Sequence, residues 1–350
     1  MPQPDPLPPW HPERLAARLP FLRRRARLAE AVRAFFTARG YTEVETPCAV
    51  PAPGEEVHLS AFATEQVAPT GARRHLWLHT SPEFAMKKLL AGGAGPIFQL
   101  ARVWRNGEGS DLHAAEFTML EWYRPGADMP GLIAETLALL RAVLPPVVTC
   151  RGITTDLAQA EVLTVADAFT RHAGADVLTT ADDAAALAAQ AGARLRDGET
   201  WEDLFFRLLL DRIEPHLGRA HPTFLTHWPA AQAALARRDP ADPRVAERFE
   251  LFVCGLELAN AFVELTDAAE QRARFLADRA RRHALTGRED WPLDEDFLAA
   301  LAHGLPPCAG IALGFDRLAM IAAGAARIGD VLWLPADDVP PGFACGGGIA

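Results

Sequence analysis

The segment His79–Pro125, HTSPEFAMKKLLAGGAGPIFQLARVWRNGEGSDLHAAEFTMLEWYRP, limits the possible fold more than any other part of this 350-residue chain. Within it, IFQLARVW (Ile97–Trp104) and EFTMLEWY (Glu116–Tyr123) are rich in β-branched and aromatic residues, which suit a pleated, half-buried surface. Between them, Arg105–Ala115 is polar and contains two glycines. The pattern predicts two neighbouring strands joined by a polar loop. Arg105 stands where the first strand ends, and Glu121 and Tyr123 lie near the end of the second. Residues two apart on a strand face the same side, so Glu121 and Tyr123 share a surface. A guanidinium, a carboxylate and a phenol placed together suit a ligand that carries both phosphate and ammonium groups.

Upstream, Leu76–His79 reads as a strand fragment and Ser81-Pro82-Glu83 as the opening of a helix through Leu90. Ser81 at the N-cap, Pro82 at the first helical position and Glu83 in the first turn follow the rules for helix starts. Capping alone explains both Ser81 and Glu83.

The second dense stretch is RFELFVCGLELANAFVELTD, residues 248–267. Glu250, Glu257 and Glu264 recur every seven residues. Seven is odd, so on one strand the faces would alternate; on a hairpin turning at Cys254-Gly255, Glu250 and Glu257 can face one site. Asn260 shares its strand face with Glu264. Oxygen ligands of this kind suit Mg²⁺, although solvated charges on an edge strand explain the segment as well. GIALGFDRLAMI, residues 310–321, predicts a small-residue strand ending at Gly314, where backbone can approach a ligand closely, and a helix starting near Asp316-Arg317. Asp316 is explained by capping; Arg317 can reach phosphates.

The rest of the chain frames these segments. Residues 20–40 read as an amphipathic helix stopped by Gly40, followed by GYTEVETP as a short strand ending at Pro47. Residues 48–74 read as loop-rich, 131–144 as an apolar helix, and 268–286 and 294–303 as helices. Residues 150–245 hold several helical segments and no evident catalytic constellation. The N-terminal run MPQPDPLPPWHPERL has no apolar core of a secretory signal, and no apolar run approaches a membrane span. A net charge of −10 disfavours a broad nucleic-acid surface. Locally, Arg14, Arg18, Arg23, Arg24, Arg25, Arg27, Arg33 and Arg39 are either a solvated helix face or a docking surface for an acidic partner. Five scattered cysteines, never spaced as CxxC, argue against a disulfide framework or a zinc site and for a reducing cytoplasm. Neither GxxxxGK[ST] nor GxGxxG occurs, so a nucleotide site is of another kind.

Taken in order, these segments resemble the catalytic domain of class II aminoacyl-tRNA synthetases of the lysyl type. GYTEVETP is similar to motif 1, with Pro47 at its end. RVWRNGEGSDLHAAEFTMLEWY is similar to motif 2, with Arg105 as its arginine, and GIALGFDRL to motif 3, with Arg317. TSPEFAMKKLL and ELANAFVELTD are similar to segments of the lysyl branch. The resemblance implies an α+β fold, an antiparallel sheet flanked by helices. It assigns residues 20–336 to the catalytic domain, with 150–245 as a helical insertion region. Residues 1–19 are then disordered or extended, and 337–350 form a flexible tail. Lysyl-tRNA synthetases carry an anticodon-binding domain ahead of motif 1, for which this sequence leaves no room. EFTMLEWYRP, and Ala312 where lysyl enzymes have Gly, are closer to the stand-alone paralogues that join a lysine to elongation factor P. In that group the Ala accompanies preference for (R)-β-lysine over lysine.

The resemblance implies roles. Arg105 and Arg317 are the catalytic arginines. Arg105, Asn106, Gly107, His113, Ala114, Phe117, Glu257, Leu258, Gly314 and Arg317 bind ATP, with Phe117 stacked on adenine. Ser81, Pro82, Glu83, Glu121, Tyr123, Asn260, Glu264 and Ala312 bind the amino acid. Glu250 and Glu257 hold Mg²⁺. The partner is elongation factor P rather than tRNA, and the setting is a cytoplasmic homodimer with no membrane contact. Two departures lie in the motif 2 loop: Arg105-Asn106-Gly107 replaces Arg-Asn-Glu, with Glu108 one place later, and Ala114-Ala115 replaces Asn-Pro. Either the loop meets adenine through backbone groups or ATP binding is weakened. The alternatives are a truncated lysyl-tRNA synthetase-like enzyme and a catalytically silent paralogue acting as a binding subunit.

Overall fold

A computed structural model of the protein describes residues 7–287 and 291–335. Its centre is an eight-stranded sheet. In spatial order the strands are Thr42–Glu43, Ile97–Trp104, Glu116–Pro125, Cys308–Gly314, Leu256–Val263, Val245–Val253, Thr223–Pro229 and Glu161–Thr164. The inner pairs are antiparallel. The two outermost pairs are parallel: Thr42–Glu43 on Ile97–Phe98, and Glu161–Thr164 on Thr223–Thr226. The α+β expectation therefore holds, with a sheet that is mixed at its edges.

Strand alternation divides the sheet into two surfaces. Phe98, Leu120, Trp122 and Ile311 point to one side, into a core closed by the helices Pro12–Thr37, Met129–Val143 and Phe315–Ala323. There Phe36 stacks on Phe98 with ring centroids 4.8 Å apart and leans on Trp122 at 5.1 Å. The polar tips in this core are paired, as burial requires: the Tyr41 hydroxyl and the Trp122 indole N–H both donate to Glu135. Glu121 and Tyr123 take the opposite face.

Several expectations are corrected. The first helix begins at Pro12, where Pro at the first helical position and His11 Nδ1 accepting from the Glu13 N–H start it. Residues 12–19 are thus helical, and Pro20 lies in the interior without ending the helix. The stretch read as loop-rich supplies Ala49–Val50 and Phe62–Val67, which pair on either side of Arg73–Leu78. The stretch 150–245 carries the helices Val165–Ala173, Ala184–Gln190 and Trp201–Leu208, with their own core around Phe169 and Phe205, but also two strands of the main sheet. The expected tail lies outside the described residues. The N-terminal arginines are not uniformly solvated: Arg18 is buried, and Arg25 pairs with buried Asp316 while Arg23 and Arg27 stay exposed. Among the described residues, no helix is long and apolar enough to cross a membrane.

Candidate active site

The free face of the sheet forms the floor of a cavity of about 600 Å³. Register brings the chemistry together: Glu121 pairs with Ala312, Ala312 with Asn260, and Asn260 with Glu250, one row across four strands. The next row is Tyr123, Gly310, Phe262 and Arg248. The hairpin that carries Glu250 and Asn260 turns at Cys254-Gly255, both with positive φ (53° and 70°), the backbone of a type I′ turn. Beyond the turn the register shifts. Leu251 faces Ala259 but Phe252 faces Glu257, leaving Leu258 as the extra residue of a bulge. That residue corrects the odd spacing and returns Glu257 to the face of Asn260.

At one end the carboxylates are dry. Glu121 is fully buried; Ser81 Oγ donates to its Oε1 at 2.5 Å and the Tyr123 hydroxyl to its Oε2 at 3.0 Å. Burial first, then the Glu83 charge, pushes the Glu121 carboxyl up to about 8. Helix Glu83–Ala91 starts one residue later than expected, with Pro82 at the cap. Ser81 nevertheless serves both purposes, because its hydroxyl also accepts from the Glu83 N–H at 3.0 Å. Glu83 and Glu264 flank Lys87, whose Nζ lies 2.5 Å from each. Gly310 has to be small: a Cβ there would overlap the Tyr123 ring and crowd Glu264 Oε1 at 2.7 Å.

In the middle, Arg248 organises two expected ligands. Its guanidinium lies 4.1 Å from the Trp228 ring centroid and donates to Asn260 Oδ1 (3.1 Å), the Gln232 carbonyl (2.7 Å) and Glu250 Oε1 (2.7 Å). With its carbonyl taken, Asn260 offers its amide N–H groups as donors. Burial, then the Glu257 charge, raises the Glu250 carboxyl well above the ordinary range, while Arg248 opposes the shift.

At the other end the groups are more open. Arg105 lies 5.2 Å from the Phe117 ring centroid and 3.8 Å from Glu108, and its buried Nε has no hydrogen-bond partner among the described residues. Arg317 donates to the Glu257 carbonyl (2.6 Å) and faces His113 Nε2 (2.6 Å). Burial and the Arg317 charge lower the His113 pKa and favour the neutral ring, and because a guanidinium only donates, Nε2 is the acceptor in this contact. Two carboxylates, Glu250 and Glu257, suit a cation that takes one or two protein oxygens and completes its shell with phosphate and water. Among the described residues no group of three or more His, Cys, Asp or Glu is arranged to hold a metal ion.

Arg105, His113, Ala114, Phe117, Glu257, Leu258, Gly314 and Arg317 line the cavity, as do Ser81, Glu83, Tyr123, Glu250, Asn260, Glu264 and Ala312. Four expected residues do not: Glu121 lies behind Ser81 and Tyr123, Pro82 caps its helix, and Asn106 and Gly107 are exposed in the loop, where the Asn106 N–H bonds the Ser60 carbonyl. Sequence reasoning passed over Arg248, which lines the cavity, and Lys87 and Glu214, which lie outside its wall beside residues that do. Lys87 sits four residues after Glu83 and Arg248 two before Glu250, spacings that already place each pair on one face. Glu214, pushed up to about 7 by burial and the Glu257 charge, arrives from a distant turn and left no local signal.

The family described as tRNA synthetases class II (D, K and N) matches residues 15–338. Elongation factor P--(R)-beta-lysine ligase from Hamiltonella defensa subsp. Acyrthosiphon pisum is 45% identical over 333 residues, 94% of this chain and 98% of the relative. The proteins of that name from Klebsiella pneumoniae subsp. pneumoniae (46% over 334 residues) and Salmonella schwarzengrund (45% over 333) align over the same shares, 94% and 98%. The chain belongs to the class II tRNA synthetase family and, within it, to the family of the elongation factor P--(R)-beta-lysine ligases.

Proposed function

We propose that this protein activates (R)-β-lysine, or lysine, with ATP as an aminoacyl-adenylate and transfers it to a lysine side chain of elongation factor P. One observation carries this reading: a single cavity holds buried carboxylates suited to ammonium groups at one end and arginines suited to phosphate at the other. The spacing suits a substrate whose carboxylate must meet the α-phosphorus of ATP while its far ammonium is held in place.

In this mechanism Glu121, through Ser81 and Tyr123, together with Glu83 and Glu264, holds the ammonium groups. Asn260 donates to the carboxylate end, and Ala312 and Gly310 leave room along the floor. Arg105 draws the substrate carboxylate and the α-phosphate together, Phe117 offers a face to adenine, and His113 and Arg317 meet the outer phosphates. The step is in-line attack of carboxylate oxygen on phosphorus with pyrophosphate leaving. It asks the protein for position and charge rather than a covalent nucleophile. Glu250 and Glu257 would hold Mg²⁺, which would supply charge neutralisation at the phosphates. The adenylate carbonyl is then attacked by the ε-amine of the target lysine, releasing AMP. The proposal includes a cytoplasmic homodimer that does not charge tRNA.

ATP–pyrophosphate exchange tests the first step: (R)-β-lysine, then lysine, should support it. Mass spectrometry of co-expressed elongation factor P tests the second: one lysyl increment is expected, absent with the Arg105→Ala enzyme. Efficient charging of tRNA, or an increment that persists with Arg105→Ala, would overturn the assignment.

A further inference from the structure

Just behind the wall of the cavity's blind end lies a buried lysine, Lys87, bonded to two carboxylates that line the cavity. Lys87 is 1% exposed, and its ammonium lies 2.5 Å from Glu83 Oε1, 2.5 Å from Glu264 Oε2 and 5.9 Å from the Tyr123 ring centroid. The partners come from separate elements. Glu83 is one turn back on the same helix, and Glu264 follows the strand Leu256–Val263. The remaining titratable groups that face this cluster are Glu121 and Tyr123 on the strand Glu116–Pro125, Cys308 on the strand Cys308–Gly314, and Glu56 from the loop over Glu83. Glu121 is not paired with Lys87: its oxygens are taken by Ser81 and Tyr123.

The charges can be counted. Leaving aside Glu56, which is exposed to solvent, three carboxylates lie at or just behind the blind end: Glu83 and Glu264 in its wall and Glu121 behind Ser81 and Tyr123, with the one ammonium of Lys87 between the first two. Once all three ionise, the deficit is two positive charges. A buried charge left without a partner is costly. A ligand with two ammonium groups closes the deficit; a ligand with one does not.

We infer that Lys87 is a positioning residue that determines specificity. It occupies one oxygen of Glu83 and one of Glu264, turns their other oxygens to the ligand, and sets the charge of the pocket so that a diamino acid is selected over a monoamino acid. This rests on the reading of the cavity as an amino-acid activation site. It also explains why a cation is tolerated beside a pocket built for cations: Lys87 holds apart two carboxylates that would otherwise neutralise each other's function by sharing a proton.

Lys87 lowers the proton affinity of Glu83, Glu264 and Glu121. Removing it raises all three, and these groups must be ionised to hold an ammonium. The acid limb of the pH profile therefore moves to higher pH. The test is ATP–pyrophosphate exchange from about pH 6 to 9 with (R)-β-lysine and with 3-aminohexanoate, which lacks the far ammonium, for wild type, Lys87→Met and Lys87→Arg. Lys87→Met should raise KM for the diamine about 10- to 100-fold, with kcat less affected. It should narrow the preference over the monoamine and shift the acid limb upward by about one unit. Lys87→Arg, which keeps the charge, should leave the limb in place. An unchanged limb and preference in Lys87→Met, or an equal loss with both ligands, would overturn the inference. Should Lys87→Met not fold, Lys87→Arg decides: a limb that moves with the charge retained overturns the role, and a limb that stays supports it. Absence of exchange in the wild type with any amine is a different failure, that of the proposed function.

Discussion

The two ends of the cavity are built in opposite ways. At the amine end polar groups are tied to one another before any ligand arrives: Ser81 and Tyr123 hold Glu121, and Lys87 joins Glu83 to Glu264. At the phosphate end Arg317 is held by the Glu257 carbonyl and His113, but Arg105 has a buried nitrogen without a hydrogen-bond partner among the described residues, a ring contact with Phe117 and a long contact to Glu108. The Glu257 side chain is 44% exposed there. An ammonium is a compact charge whose recognition gains from fixed, desolvated acceptors; preorganisation lowers the cost of binding it. A triphosphate spreads its charge over many oxygens and changes shape as the bond breaks, so a partner such as Arg105 gains from being uncommitted until it binds. The difference predicts that substitutions at the amine end act on selectivity and pH dependence, and substitutions at the phosphate end on rate.

The sharpest break of this comparison is at Arg105. Arg105→Ala should lower adenylate formation about 10³-fold, the usual cost of removing a donor aimed at developing charge. Amine-induced thermal stabilisation should survive, because among the described residues the side-chain contacts of Arg105 are with Phe117 and Glu108 rather than with the amine end. Pyrophosphate exchange and thermal shift, measured on one preparation, separate the two effects. A variant that loses both would show that the ends are not independent.

Next in size is Glu121→Gln, which should raise the diamine KM about 10- to 100-fold through loss of the buried charge that acts on the ligand through Ser81 and Tyr123. The pH dependence carries a definite sign. Glu121 is pushed up to about 8, so the fold favours its neutral form. The stability this contributes is present at low pH and fades as pH rises through about 8. Ammonium binding works in reverse, since it requires the ionised form. Thermal stabilisation by the diamine should therefore grow between about pH 6 and 8 in the wild type, and Glu121→Gln should flatten that growth. A Gln variant with the wild-type slope would move the titration to another carboxylate.

The shared face of Glu121 and Tyr123 was legible in the sequence because it is local, whereas capping alone accounted for Ser81 and Glu83 there. Ser81 precedes Glu83 by two, and Glu121 precedes Tyr123 by two on a strand with clear β composition. Strand Ile97–Trp104 and helix Ala268–Thr286 were expected at the residues where they occur. What failed to show was set by distant packing. The bulge that returns Glu257 to the site depends on cross-strand register, which no single segment encodes. The parallel edge strands depend on partners more than fifty residues away. Arg248 sits in the sequence beside residues that were read, yet its task of orienting Asn260 exists only once the hairpin closes. The motif 2 loop illustrates the converse: Asn106 and Gly107 stand beside the motif's arginine in the sequence, but both are exposed and outside the cavity wall.

Gly310 tests how rigid the amine end is. Gly310→Ala places a methyl group against the Tyr123 ring and Glu264, on central antiparallel strands that cannot move apart without losing their pairing. The expected cost is about 1–3 kcal/mol of stability, as for other overpacked sites, read as a lowered midpoint in urea, together with a raised diamine KM. Normal stability with normal KM would mean that the floor yields, and that the amine end is softer than its hydrogen bonds suggest.

The smallest effect belongs to the part of the phosphate end where the sequence departs from its family. Glu108 stands one place later than the motif's acidic residue and lies 3.8 Å from Arg105, with both side chains about one-quarter exposed. At that separation and exposure the pair is worth at most about 1 kcal/mol. If Arg105 is held in reserve for phosphate, Glu108 is only a placeholder, and Glu108→Gln should change the ATP KM by less than about threefold, with kcat unaltered. If Glu108 instead performs the displaced acidic residue's task, contacting the nucleotide directly, its loss should raise the ATP KM tenfold or more by the usual cost of a charge-assisted bond, about 1.5–3 kcal/mol. Saturation curves for ATP at fixed diamine distinguish the outcomes. The second would mean that the loop is organised before ATP arrives, and the contrast between a wired end and an uncommitted end would then hold for Arg105 alone.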